Sequence, residues 1–178
     1  MITIEGLTVI AWELPEDAVA AKQAAINHWA VNPEETWLLA YAFTMRELVQ
    51  PILDASKAGF PTHMYVDESC MKDDAEQVTI VKELVAGGVE VTVGSSPAGP
   101  AYIAHTKAYV GRSGACWEGS TNWSESAWQQ VNTAMQFNSP AWRDMIIAAF
   151  NVRVAYAWAN EASDQLMAAQ PAPVTVPA

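Results

Sequence analysis

Between residues 36 and 93 the chain alternates short apolar runs with segments of helical character, and this alternation restricts the fold more than any other feature. Thr36 to Phe43 is nearly all apolar, which suits a central strand buried on both faces. A helix is expected from Thr44, where Thr44 and Glu47 fit a capping box, to Lys57-Ala58-Gly59. Pro51 lies inside it and predicts a bend. Thr62 to Asp67 reads as the next strand. Asp73 and Glu76 open a helix over Ala75–Ala86, Gly87-Gly88 ends it, and Val89 to Val93 alternates as a further strand. Strand and helix taking turns in this way define an α/β protein.

The flanks extend the pattern. Residues 2–12 read as a strand, followed by a helix opened by Pro15-Glu16-Asp17 and running to about Trp29. Ala115 to Glu118 and Val131 to Phe137 read as strands, and Trp123 to Gln130 as a short helix or turn. From Asn138-Ser139-Pro140 a long last helix carries an apolar stripe that includes Trp142, Met145, Phe150, Val152, Arg153 and Tyr156. One domain over residues 1–169 is expected, with a Pro-rich tail at 170–178.

The chemistry concentrates in two nearby stretches. Residues 102–110 alternate like a strand, with Ile103, His105, Lys107 and Tyr109 on one face. An imidazole and a fixed cation then point the same way, one pleat apart. After Gly111-Arg112-Ser113-Gly114 the chain returns to Gly119-Ser120-Thr121-Asn122. Gly119 permits close approach to a ligand, and Ser120 and Asn122 offer a hydroxyl and a carboxamide. A nucleophile, a cation and two neutral donors are what attack on a phosphate requires.

His-x-Lys followed by Gly-Ser-x-Asn resembles the signature of the phospholipase D superfamily. The likeness covers about residues 36–158 and is greatest to the small single-motif bacterial endonucleases. It implies a mixed, mostly parallel central β-sheet flanked by helices on both faces. It implies His105 and Lys107 as catalytic residues, with Ser120, Asn122 and Gly119 binding the phosphate. It also implies a metal-independent phosphodiesterase, endonuclease-like, without cofactor, that forms a phosphohistidine. One motif per chain implies a homodimer with the site at its interface, because attack and leaving-group protonation need two proton-competent groups. Two positions depart from the family. Arg112 stands where the superfamily usually has Asp, and is expected to brace the turn. Asn132-Thr133-Ala134 stands where the small nucleases carry a carboxylate that would orient the histidine; Glu118 or Glu125 are candidates to replace it. A phospholipase D-type lipid hydrolase or transphosphatidylase, and a catalytically degenerate binding or assembly protein, remain as alternatives.

Composition bears on the substrate. The net charge is −11, with 9 Lys and Arg against 20 Asp and Glu. Sequence-independent nucleic-acid binding is driven by basic residues, so a long DNA-tracking groove is disfavoured. No apolar run has the roughly 18–20 residues of a membrane span, no signal peptide is apparent, and Cys70 and Cys116 lack C-x-x-C spacing. A cytoplasmic protein is expected.

Other features read more simply as structural. His28 and His63 sit at the ends of regular elements. Trp117, Trp123 and Trp128 would be core before they would stack on bases or cage a quaternary ammonium group. Cys116, within an apolar strand, reads as inert. Asp67, Asp73 and Asp74 could hold a divalent cation but read first as helix starts. Gly94 to Pro100 reads as a flexible lip over the site.

Overall fold

The computed structural model describes residues 7–159. Its strands are β1 (Val9–Leu14), β2 (Thr36–Ala40), β3 (Thr62–Asp67), β4 (Glu90–Gly94), β5 (Ala108–Gly111), β6 (Ala115–Gly119) and β7 (Asn132–Asn138). Its helices are α1 (Ala18–Ala30), α2 (Arg46–Lys57), α3 (Glu68–Asp73), α4 (Ala75–Ala86) and α5 (Pro140–Ala159), with a 3-10 turn at Glu125–Gln129. Residues 2–6 of the expected first strand and the expected tail at 170–178 lie outside the described residues.

All seven strands form one sheet in the order β1-β7-β6-β5-β2-β3-β4. The mixed α/β sheet read from the sequence is present. β2, β3 and β4 pair in parallel, and the other pairings are antiparallel. Because β5 and β7 alone run backwards, most strands still point one way. Their carboxyl ends therefore gather at one edge.

Helices cover both faces. One core packs Leu38, Met64, Val66, Tyr109 and Trp117 against Trp29, Leu48, Ile52, Ile80 and Leu84 from α1, α2 and α4. The other packs Leu39, Tyr65, Ala108, Val110 and Cys116 against Ile146, Phe150 and Ala157 of α5. The unbroken apolar run of β2 follows from this arrangement. A strand between two helical layers has no solvated face.

Several local expectations are corrected. The strand expected over 102–110 begins only at Ala108. β5 pairs with Leu39 of β2 at that residue, and β2 gives way to an irregular segment after Ala40. Residues 103–107 thus lie beyond the sheet as a strap without regular structure. The capping box at Thr44 does not form. Met45 caps α2 without a side-chain bond, and Thr44 donates its amide to Trp123 O at 2.7 Å instead. Pro51 is accommodated in the second turn of a helix that runs on to Lys57. α4 has the expected bounds, but Asp74 rather than Asp73 caps it, accepting from the amides of Glu76 and Gln77.

Candidate active site

β2, β3, β4 and β6 end at Ala40, Asp67, Gly94 and Gly119, and β5 begins at Ala108, all on one edge of the sheet. Open α/β sheets bind ligands in such a crevice beyond the carboxyl ends of their strands. The 103–107 strap crosses this edge. The amide of Ala104 donates to Asp67 Oδ2 at 2.5 Å, and Arg153 of α5 donates from Nη2 to Thr106 Oγ1 at 3.1 Å. Asp67 is fully buried, and its other oxygen accepts from the amide of Ser69 at 2.9 Å and from its hydroxyl. This carboxylate, a candidate metal ligand in the sequence, is spent on anchoring the strap and capping α3. Among the described residues no group of three or more His, Cys, Asp or Glu side chains gathers to hold a metal.

His105 is exposed, whereas Lys107 is only 3% exposed. The Lys107 Nζ donates to the carbonyl oxygen of His105 at 2.7 Å and lies 5.4 Å from the centre of the Tyr41 ring. The same ring meets the His105 imidazole edge-on at 4.7 Å. Tyr41, immediately beyond β2, is thus the common wall for both. Burial lowers the pKa of His105, and the nearby Lys107 lowers it further against an opposing pull from Asp67. A neutral imidazole is the form able to attack phosphorus. Burial also brings the Lys107 ammonium down to about 8, partly resisted by Cys70 and Glu118. Burial pushes the Glu118 carboxyl up to about 7, against Arg153 and Lys107.

The second stretch contributes less directly than its composition suggests. A Cβ on Gly119 would collide with the carbonyl oxygen of Thr133, so the close approach of β7 by itself requires a glycine here. The Ser120 hydroxyl donates to Asn132 Oδ1 at 2.9 Å and accepts from the amide of Thr133 at 3.0 Å. Asn132 and Thr133 therefore hold this serine where the small nucleases carry a carboxylate. Asn122 is held at the site edge by its neighbour, since the amide of Trp123 donates to Ala42 O at 3.1 Å, next to Tyr41. The Asn122 Oδ1 is buried without a hydrogen-bond partner.

Of the two candidate replacement carboxylates, Glu125 is committed to Lys22 at 2.9 Å. Glu118 remains, but the charges it senses are Arg153 and Lys107. Arg112 lies at the far end of β5. It pairs with Glu35 at 3.0 Å, and its carbonyl accepts from Arg143, so it braces the turn as expected. His28 is buried, bonded to Thr36 at 2.8 Å, and lowered by burial to about 4; His63 bridges Glu35 and Glu90. Trp117, Trp123 and Trp128 are fully buried, which excludes a stacking surface or cage. Cys116 is buried and pushed up to about 11, unsuited to nucleophilic attack. Sequence reasoning missed the roles of Tyr41 and Arg153. The available signal was an arginine inside the otherwise apolar stripe of α5.

The strap thus presents an exposed imidazole beside a buried ammonium at the carboxyl edge of a mixed α/β sheet. The chain belongs to the family described as cardiolipin synthase, PLD-like domain, which matches residues 27–151, and hence to the phospholipase D superfamily. Among solved structures it is similar to Nuc, a phospholipase D family member from Salmonella typhimurium, at 18% identity and TM-score 0.71, covering 83% of this chain and 93% of Nuc. It is similar to NucT from Helicobacter pylori at 18% identity and TM-score 0.65, covering 88% and 97%. Phosphatidylserine synthase from Haemophilus influenzae matches at 10% identity and TM-score 0.60, over 94% of this chain and 48% of that one. No curated relative matches by sequence.

Proposed function

We propose that this chain is an endonuclease-like phosphodiesterase that works without a metal, through a phosphohistidine on His105, at the interface of a cytoplasmic homodimer. The observation that carries the reading is the pairing on one strap of an exposed imidazole with a buried lysine whose ammonium donates to the carbonyl of His105 itself. A ring nitrogen of His105 attacks phosphorus, and the P–O bond to the leaving group breaks. The symmetry-related copy of His105 protonates the departing alkoxide. That copy then removes a proton from water, the resulting hydroxide attacks phosphorus, and the P–N bond breaks. Lys107 offsets the charge that develops on the non-bridging oxygens, with Ser120 and Asn122 at the rim of the phosphate site.

The remaining cations argue for a short contact with the substrate. Five of the eight cations other than Lys107, namely Lys22, Arg46, Lys72, Arg112 and Arg143, are paired with carboxylates, Arg153 is turned inward to Thr106, and only Lys57 and Lys82 add exposed charge. A short or single-stranded segment fits such a surface better than a tracked duplex. A second reading, a phosphodiester with an apolar substituent such as a phospholipid, is favoured by Tyr102 and Ile103, which are 61% and 46% exposed just before His105.

The test is hydrolysis of single-stranded DNA, duplex DNA, RNA and phosphatidylcholine in EDTA by the wild type and by His105→Ala. Loss of hydrolysis of one substrate class in the variant supports the reading and identifies that class. Equal behaviour of the two proteins on every substrate refutes it. Premixing wild type and His105→Ala subunits tests the shared site. Activity should fall as the square of the wild-type fraction, whereas a linear fall would refute the two-histidine site.

A further inference from the structure

The strap that carries His105 and Lys107 lies outside the sheet, so something other than ladder hydrogen bonds must fix it. Besides the Tyr41 ring, two side chains among the described residues hydrogen-bond to it from outside. Asp67 holds the amide of Ala104 from the end of β3, and Arg153 holds the hydroxyl of Thr106 from α5. Thr106 lies between the two reactive residues, so a rotation there moves both.

Arg153 is an expensive choice for its position. The inner face of α5 is otherwise apolar, with Ile146, Phe150, Val154 and Ala157 packed on the sheet. The guanidinium is partly buried among them, and its Nη1 is buried with no hydrogen-bond partner. Such a group costs free energy that a methionine or leucine of similar reach would not. Its other electrostatic neighbours are Tyr65 and Glu118. Glu118 is the carboxylate that also acts on Lys107. A guanidinium is planar and presents several donors in a fixed fork, which suits holding one acceptor at a set angle.

We propose that Arg153 is a positioning residue that, through its hydrogen bond to Thr106, clamps the His105–Lys107 strap to α5 and fixes the geometry of both reactive side chains. Only the kinetic arm of its test depends on the phosphodiesterase reading above. Arg153→Met preserves bulk and removes the donor. Thr106→Val removes the acceptor and keeps the shape. Arg153→Lys keeps a donor and the charge. Val152→Ala, on the exposed side of the same helix, is the control.

The experiment is amide hydrogen exchange on the full chain, read on peptides spanning residues 103–107 and, separately, α5. Arg153→Met and Thr106→Val should each accelerate exchange in the strap about tenfold, as expected for loss of a bond to a charged donor. The double variant should exchange no faster than either single variant. Arg153→Lys should restore part of the protection, and Val152→Ala should match the wild type. With bis(p-nitrophenyl) phosphate as probe, kcat should fall about tenfold with KM unchanged, because the loss is of orientation and not of binding. Exchange that rises in α5 while the strap stays protected, or additive effects in the double variant, would overturn the clamp. If the wild type fails to hydrolyse the probe, the catalytic reading is at fault and the exchange arm still decides the role of Arg153.

Discussion

Replacing Glu118 with glutamine should stabilise the protein at alkaline pH and leave it unchanged in acid. Burial holds this carboxyl at about 7 in the folded chain, against 4.5 ordinarily. A raised carboxyl keeps its proton in the folded state after the unfolded chain has lost it. Stability therefore falls as pH rises from about 4.5 to about 7, and stays reduced above that. At roughly 1.4 kcal/mol per pH unit the full loss is about 3 kcal/mol. Partial access of water reduces this to about 2 kcal/mol. Glutamine has the same shape and no charge, so it removes the penalty. Chemical denaturation at pH 8.5 should show Glu118→Gln more stable by about 2 kcal/mol, or roughly 4–8 °C in Tm. At pH 4.5 the two proteins should coincide.

His28 works against Glu118 in the same window. Its imidazole is lowered by burial to about 4. A depressed base contributes stability that is complete above about 6.5 and lost as pH falls toward 4. In the wild type the two dependences oppose one another, and the variant should expose the acid-side loss due to His28. A Glu118→Gln protein that is less stable at pH 8.5, or more stable by the same amount at every pH, would refute the assignment of a buried, desolvated carboxyl.

Further outcomes follow from the site and its support. Since Lys107 loses its proton near 8, hydrolysis should decline above that pH, and Lys107→Arg should carry the alkaline limb upward by more than one pH unit in a pH–rate profile. Glu118→Gln should shift the same limb downward, because it removes a negative charge that holds the proton on Lys107. Gly119→Ala should destabilise the fold by about 2 kcal/mol or more in urea titration, because the new methyl meets the backbone of Thr133. Tyr41→Leu should lower kcat by about tenfold with little effect on Tm, since the ring is the shared wall of His105 and Lys107.

Local and periodic signals were enough for the α/β class, for a buried central strand starting at Thr36, for the bounds of the Ala75–Ala86 helix and for the paired motifs, although the strand expected to reach Phe43 ends at Ala40. Each is a local or periodic signal that survives without knowing the neighbours. The rest depended on how distant segments pack together. Strand β5 begins only at Ala108, paired with Leu39 near the end of β2, and that register relation leaves the His105 segment outside the sheet as a strap. The glycine of the second motif serves the backbone of β7, a contact between residues 14 positions apart that no spacing rule reveals. Burial brought the Lys107 ammonium down to about 8 and pushed the Glu118 carboxyl up to about 7, a property of the packed chain and not of the residue. Arg153 reached Thr106 across 47 positions because α5 packs back over the sheet. Local chemistry could name the candidate side chains, but the contacts that orient them arise from distant segments meeting in space.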